Sequence, residues 1–441
     1  MSTRLFDSTE PAPPDGPAAA WDLAKQQLHD DLVQQIDLSA TQQLEPAALE
    51  ARLRETLVEM MAARSLPIAA DKRGELVNEI IDEMLGFGPI ERLMRDNRVT
   101  DILINGPNDV WVERGGQLAR TPASFRDDAH VMQVIDRIVG AVGRRVDESS
   151  PMVDARLPDG SRFNAIIPPL AVDGPMVSIR RFGRVPIQAA DLVRFGTAPE
   201  PLIALLRSCV RARLNILVSG GTGSGKTTLL NVMSSWIPVT ERVITVEDAC
   251  ELQLQQPHVV RLETRPPNLE GRGEVAARDL VRNALRMRPD RIIVGEIRGQ
   301  EAIDMLQAMN TGHEGSISTL HANSPRHALR RLETMVGLGM GNIPGPAIRE
   351  MIADALDLII QISRLPDGSR RVVSVTEITG MEGPVVSTQE LFRFRQRTVD
   401  KATGKVRGTF EASGVRPVFA DRLEAWGEGL PPESLTWHQE V

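Results

Sequence analysis

The segment NILVSGGTGSGKTTLLNVM, residues 215–233, constrains the fold more than any other part of the chain. An apolar run passes directly into a glycine-rich turn, and the turn into a helical pattern. Gly220, Gly225, Lys226 and Thr227 satisfy the spacing G-x-x-x-x-G-K-[ST], once in the sequence. Glycines let backbone N–H groups close around an anion, and a helix N-terminus adds positive potential. Such a loop needs a strand to hold one end and a helix to hold the other. The runs RVITVED, RIIVGEI and SISTLHA are also apolar, with helical stretches between them. Buried strands alternating with helices predict a mostly parallel sheet covered on both faces, so the expected fold class is α/β.

The candidate nucleotide-binding residues are Gly220, Gly221, Thr222, Gly223, Ser224, Gly225, Lys226, Thr227 and Thr228. In this pattern Lys226 reaches the β- and γ-phosphates of ATP and the Thr227 hydroxyl ligates Mg²⁺. The competing reading is a flexible glycine-rich turn. RVITVEDACEL ends a strand in Glu247 and Asp248, with Glu251 behind them. Carboxylates at the C-terminal edge of a parallel sheet lie where such folds bind ligands. They position a water or a magnesium shell, or else form a solvated acidic turn. RIIVGEIRG carries Gly295 where a metal-binding aspartate is common, and Glu296 follows. Glu296 orients or activates water, or it is a strand-end glutamate paired with Arg298.

Two further groups leave their readings open. Arg278, Arg282 and Arg286 recur every four residues on one helical face. Like charges at that spacing destabilise an isolated helix. Their partner is the acidic strand ends, a nucleotide on a neighbouring subunit, or solvent. His313 and His321 flank the strand in GHEGSISTLHANS. No third ligand stands at useful spacing for zinc, so we expect one core histidine and one that senses phosphate.

Composition narrows the partners. The chain has 441 residues, a length that suggests two or three domains, with a net charge of −8. Aromatic residues are 3% of the total and tyrosine is absent, so neither a basic footprint nor a base-stacking platform is evident. No nucleic acid is expected as partner. Cys209 and Cys250 are isolated, which excludes a disulfide framework and predicts a reduced, cytoplasmic protein. No run approaches the roughly 18 apolar residues of a membrane span. The opening MSTRLFDSTEPAPPDGPAAA lacks the basic and apolar regions of a secretory signal.

The expected organisation has six parts. Residues 1–19 read as a disordered tail and 20–85 as a helical bundle, striped by Trp21/Ala24/Leu28/Leu32/Ile36, Leu49/Leu53/Leu57/Met60 and Leu76/Val77/Ile80/Ile81/Met84/Leu85. Residues 86–178 read as a small α/β domain, with strands in DILING and VWVER and a helix near 128–142. A linker over 179–196 leads to the nucleotide domain, 197–376. After about 376 the alternation stops, and 377–441 reads as a mixed, turn-rich extension.

Taken together, GGTGSGKT, ITVEDACEL, RIIVGEIRG and GHEGSISTLHANS resemble, in order, the phosphate loop, acidic box, atypical Walker B motif and histidine box of the secretion-superfamily ATPases. The resemblance implies a RecA-like P-loop ATPase domain behind a small PAS-like α/β domain and a helical bundle. It implies that Glu296 is the catalytic carboxylate, Glu247 the acidic-box glutamate and His321 the principal histidine. It places Arg180 and Arg181 of SIRRFG at a nucleotide on a subunit interface, and Arg282 and Arg286 as a second arginine pair. For Arg180 and Arg181 an ordinary solvated linker is the alternative. LVRNALRMRPDRIIVGEIRG, DMLQAMNTGH and VTDILINGPNDVWVERGG look most like the tight-adherence (Flp) pilus ATPases of the CpaF/TadA type. The VirB11 type of type IV secretion is the nearest rival. The tetracysteine zinc element of other branches has no counterpart among two cysteines. The implied protein is a homo-hexameric ATP hydrolase, peripheral at the cytoplasmic face of the inner membrane. Its implied partners are platform proteins, and through them pilins, in pilus assembly, with retraction as an open alternative. A nucleic-acid motor and a non-hydrolysing nucleotide sensor are the rivals from other classes.

Overall fold

The computed structural model describes residues 17–35, 45–64, 68–181, 187–265, 267, 272–339, 343–430 and 435–440. Most of the tail expected over 1–19, Ile36 and the centre of the expected linker lie outside these residues. The chain forms two compact units divided after Arg181.

The first unit opens with α1 (Pro17–Gln35), α2 (Pro46–Ala63) and α3 (Arg73–Leu85). Leu28, Leu32, Leu53, Leu57, Leu76 and Ile80 bury their side chains in one cluster, which is what an apolar stripe at a spacing of three and four residues requires. Pro17–Ala19 already belong to α1, so the helix starts inside the segment read as tail. Leu85 is 40% exposed because the stripe has rotated past it at the helix end. A short helix, α4 (Glu91–Arg95), precedes β1 (Val99–Asn105), β2 (Val110–Arg114) and β3 (Gln117–Arg120). Then come α5 (Asp128–Ala141), β4 (Met152–Arg156), β5 (Arg162–Ile166) and β6 (Met176–Arg180). The six strands form an antiparallel sheet in the order β3-β2-β1-β6-β5-β4. Asp127 caps α5 by accepting from the His130 N–H at 2.8 Å. The bundle and this α/β part are stitched together by Glu83 of α3, which lies 2.9 Å from Lys25 Nζ and 3.4 Å from His130 Nε2.

The second unit begins with α6 (Ala189–Arg194) and α7 (Glu200–Arg211). It continues through β7 (Ile216–Gly220), α8 (Lys226–Ser234), β8 (Val243–Glu247), β9 (Val259–Glu263), α9 (Ala277–Ala284), β10 (Arg291–Ile297), α10 (Glu301–Asn310) and β11 (Ile317–Leu320). Then follow α11 (Pro325–Gly339), α12 (Gly345–Ala355), β12 (Leu358–Arg364), β13 (Arg370–Glu382), β14 (Val385–Val399), β15 (Val406–Ala412), α13 (Ala420–Ala425) and β16 (His438–Glu440). One ten-stranded sheet runs β9-β8-β10-β11-β7-β12-β13-β14-β15-β16. It is parallel from β9 to β12 and antiparallel beyond. The fold class is α/β.

The parallel half is buried on both faces, as its apolar runs predict. Ile216 and Val218 pack with Leu202 and Leu229, while Leu217 between them packs with Leu306 and Leu332 on the opposite face. The segment read as a turn-rich extension is corrected: it forms strands that lengthen the same sheet. Phe392 and Phe394 alternate with Arg393 and Arg395, a period of two that buries the rings and exposes the guanidiniums. The interleaved arginines hide this strand from a search for apolar runs.

Candidate functional site

The glycine-rich turn spans 221–225, between the end of β7 and the start of α8. Gly223 and Gly225 sit at φ of +66° and +98°, which a side chain would strain. A Cβ on Gly220 would overlap the Ile362 carbonyl oxygen and lie 2.5 Å from Ser224 Oγ. Two of the loop's glycines are thus demanded by backbone conformation and one by close approach. Lys226 Nζ donates to the Gly220 and Gly221 carbonyls, at 3.0 Å each, and lies 3.9 Å from Glu296 Oε1. Thr227 and Thr228 stand half-buried in the first turn of α8.

Because β7, β11, β10 and β8 are parallel neighbours, their C-terminal ends share one edge. That edge collects the loop, His321, Glu296 and the Glu247–Asp248 pair. The Thr319 hydroxyl donates to the Gly295 carbonyl at 2.6 Å, and the Ala322 carbonyl accepts from Ser219 Oγ at 3.3 Å and Gln361 Nε2 at 3.0 Å. These bonds fix the backbone on both sides of half-buried His321. His313 precedes β11, at the other end of that strand. Its buried Nδ1 has no hydrogen-bond partner among the described residues, so it is not the satisfied core histidine expected from the sequence.

The two acids differ sharply. Glu247 is 4% exposed, and its Oε2 accepts from the Glu251 N–H at 2.7 Å and the Leu252 N–H at 2.8 Å. Burial pushes its carboxyl up from the ordinary range, and those two N–H groups only partly counter this. Its Oε1 is buried without a hydrogen-bond partner among the described residues. The Glu247 side chain lies over Gly295, where an added Cβ would come within 2.9 Å of Glu247 Cγ. The glycine ahead of Glu296 therefore leaves room for the neighbouring strand's acid. Glu296 keeps 22% exposure, and its Oε2 accepts from Arg298 Nε at 2.6 Å. The Arg298 Nη1 also donates to Asp248 Oδ2 at 2.8 Å. The alternative pairing of Glu296 with Arg298 is present, yet it engages one oxygen and turns the other toward Lys226.

The arginines divide as well. Arg278 and Arg282 both donate to Asp304 of α10, from Nε at 2.8 and 2.7 Å. Asp304 is 4% exposed and takes two of the three arginines of the stripe, a partner outside the three expected. Arg286 is exposed. In the first unit Arg180 is exposed at the end of β6, whereas Arg181 is buried and donates to the carbonyls of Leu93, Asp96 and Val99. Arg181 thus fastens α4 to β1 rather than sitting on a solvated linker, and Arg180 belongs to a strand. Sequence reasoning missed Arg364 and Arg370, which the β12–β13 hairpin brings to the loop. Arg370 Nε donates to the Gly223 carbonyl at 3.0 Å, across a separation of 147 residues that no local pattern signals.

The sequence profile described as "Type II/IV secretion system protein" matches residues 83–410, from the six-stranded sheet through the glycine-rich loop to β15. The chain belongs to this family. A Mycobacterium tuberculosis protein named for conjugal transfer is 40% identical over 309 residues, 69% of this chain and 87% of its own length. The type IV secretion system protein PtlH of Bordetella pertussis is 33% identical over 315 residues, 65% of this chain and 92% of its own. Among solved structures, the VirB11 ATPase from the Brucella suis type IV secretion system is 28% identical with a TM-score of 0.36, over 65% of this chain and 91% of that one. Among the described residues, no helix is long and apolar enough to cross a membrane.

Proposed function

We propose that this member of the secretion family hydrolyses ATP, with Glu296 orienting the attacking water. The observation that carries the reading is the placement of Glu296 Oε1 3.9 Å from Lys226 Nζ, with the other oxygen held by Arg298. Lys226 would exchange its two carbonyl partners for the β- and γ-phosphates, leaving Glu296 Oε1 directed at the space beyond the γ-phosphate. His321, held between the loop strand and the Glu296 strand, would contact the same phosphate. Arg180 and Arg286, both exposed, are the arginines available to a nucleotide on a neighbouring protomer, and Arg282 would first have to leave Asp304. Charge developing on the transferred group would be met by fixed cations rather than by water.

The donor set fits magnesium. Thr227 offers a hydroxyl at the helix start, Glu247 an orphaned buried oxygen and Glu296 a carboxylate, whereas Cys250 is buried. Among the described residues no three His, Cys, Asp or Glu side chains form a metal cluster, so phosphates and water would complete the shell. Bound there, the ion would neutralise phosphate charge; Thr227 would hold it directly and Glu247 or Glu296 would act through water.

The finer reading is a homo-hexameric motor for tight-adherence (Flp) pilus assembly, with retraction as an alternative direction, working on inner-membrane platform proteins and through them on pilins. Its support is the resemblance of residues 99–116, 280–299 and 304–313 to that branch. The second reading is a VirB11-like type IV secretion ATPase, favoured by the conjugal-transfer and PtlH relatives. The test is steady-state ATPase activity of wild type and Glu296→Gln, with mass by light scattering. Turnover confined to a hexamer and lost in the variant supports the motor; a monomer whose turnover ignores the substitution would falsify it. Co-purification with platform proteins of a pilus or of a conjugation apparatus separates the two branches.

A further inference from the structure

Arg298 meets Glu296 unevenly. Its Nε donates to Oε2 at 2.6 Å and its Nη2 reaches the same oxygen, so two nitrogens of one guanidinium edge fall on a single carboxylate atom. A guanidinium ordinarily sets one nitrogen on each carboxylate oxygen, the fork that makes such pairs strong. Here that fork would occupy Oε1, the oxygen 3.9 Å from Lys226 Nζ. Asp248, the first residue beyond β8, draws the guanidinium aside: its Oδ2 accepts from Arg298 Nη1 at 2.8 Å. Both ends of this bridge stand on fixed backbone. The Arg298 and Gly299 N–H groups donate to Oε1 of buried Glu301, at 2.6 and 2.8 Å. The Thr264 N–H donates to the Glu247 carbonyl at 2.9 Å, and the Thr264 hydroxyl to the Asp248 carbonyl at 3.4 Å. The bridging side chains themselves are open to solvent, Arg298 56% and Asp248 44% exposed. An ion pair so exposed contributes little to stability, so holding the fold together does not account for it.

We propose that Asp248 is a positioning residue for hydrolysis: by holding Arg298 Nη1 it keeps the guanidinium on Oε2 and leaves Oε1 of Glu296 free to orient water. The inference deepens the ATP-hydrolysis reading and rests on it. It gives Asp248 a task outside both sequence expectations, a magnesium shell and a solvated turn, because Oδ2 already faces a cation. Without Asp248, Arg298 settles into the two-pronged pair and takes the oxygen that the water needs. Nucleotide binding by Lys226 and Thr227 does not pass through Asp248, so the effect falls on turnover and not on affinity.

The test is steady-state ATP turnover of the full chain, with KM and thermal melting. The proteins are wild type, Asp248→Ala, Asp248→Asn, Arg298→Ala, Asp248→Ala/Arg298→Ala and Glu296→Gln. Asp248→Ala should lower kcat about tenfold, as a misplaced reacting group does, with KM and melting temperature unchanged. Asp248→Asn keeps an acceptor for Nη1 and should recover most of that loss. Because Asp248 acts through Arg298, the double variant should be no slower than Arg298→Ala alone, a non-additivity that independent roles do not give. Wild-type kcat in Asp248→Ala, a raised KM in place of a lowered kcat, an Asn variant as slow as Ala, or losses that add in the double variant each overturn the inference. In all of these, loss of turnover in Glu296→Gln still upholds the hydrolysis reading. Turnover that is absent in wild type, or indifferent to Glu296→Gln, overturns that reading and this inference with it.

Discussion

The ends of β8 and β10 make an instructive pair. They are neighbouring parallel strands, each with a glutamate at its C-terminal end, the last residue of β8 and the penultimate residue of β10, yet the two glutamates are placed differently. Glu247 is withdrawn from solvent and caps the backbone of the following turn. Glu296 reaches the loop lysine and shares an arginine with Asp248. Gly295 makes the difference possible: without a side chain of its own, it lets Glu247 cross β10 beneath the reach of Glu296. A carboxylate's role here follows from which neighbour leaves it space, not from its place in a motif.

The comparison breaks most readily at Glu296. Replacing it with Gln should lower kcat by about 10²-fold or more, on the scale of a lost general base, while Glu247→Gln should lower it less; equal losses in a turnover assay would erase the distinction. Glu247→Ala should instead cost stability. It leaves the Glu251 and Leu252 N–H groups without their acceptor, and about 3 kcal/mol should be lost in denaturant unfolding. Gly295→Ala forces a Cβ against Glu247 and should destabilise by about 2 kcal/mol, as overpacking does. The same denaturant midpoint as wild type would show that Glu247 moves aside freely.

The smallest effect concerns pH. Burial raises the Glu247 carboxyl, so the native state holds its proton more tightly than the unfolded chain. The associated stability is present below the ordinary carboxylate range and is lost as pH rises through the raised value. Glu247→Gln cannot ionise and still offers an acceptor to both N–H groups. Its melting temperature relative to wild type should therefore climb as pH rises from acid to neutral. A difference that stays flat with pH would mean Glu247 is ionised at no unusual cost.

Much of the parallel half was legible from the residues alone. The loop glycines, the apolar strands 216–220, 243–247, 291–297 and 317–320, and most of the bundle stripes are local patterns that formed among the described residues where their period predicted, Leu85 excepted. The antiparallel half was illegible because β14 alternates Phe with Arg, and because pairing, not hydropathy, makes these strands a continuation of one sheet. The division into units also moved. Bundle and small α/β part share a unit, bridged by Glu83, and the expected extension shares the ten-stranded sheet.

At the site the same boundary holds. Sequence by itself determined that a glycine-rich turn joins a strand to a helix, that acids stand at the ends of the neighbouring strands and that a histidine follows a third, because strand, turn and helix propensities act over a few residues. Tertiary structure alone decided which acid is buried, that Asp304 takes Arg278 and Arg282, that Arg181 is consumed by backbone carbonyls, and that Arg370 grips the loop. Each of those outcomes is a contact between chain segments far apart in sequence, set by strand order and by the space a glycine leaves, and neither is encoded in any window that a local reading can see.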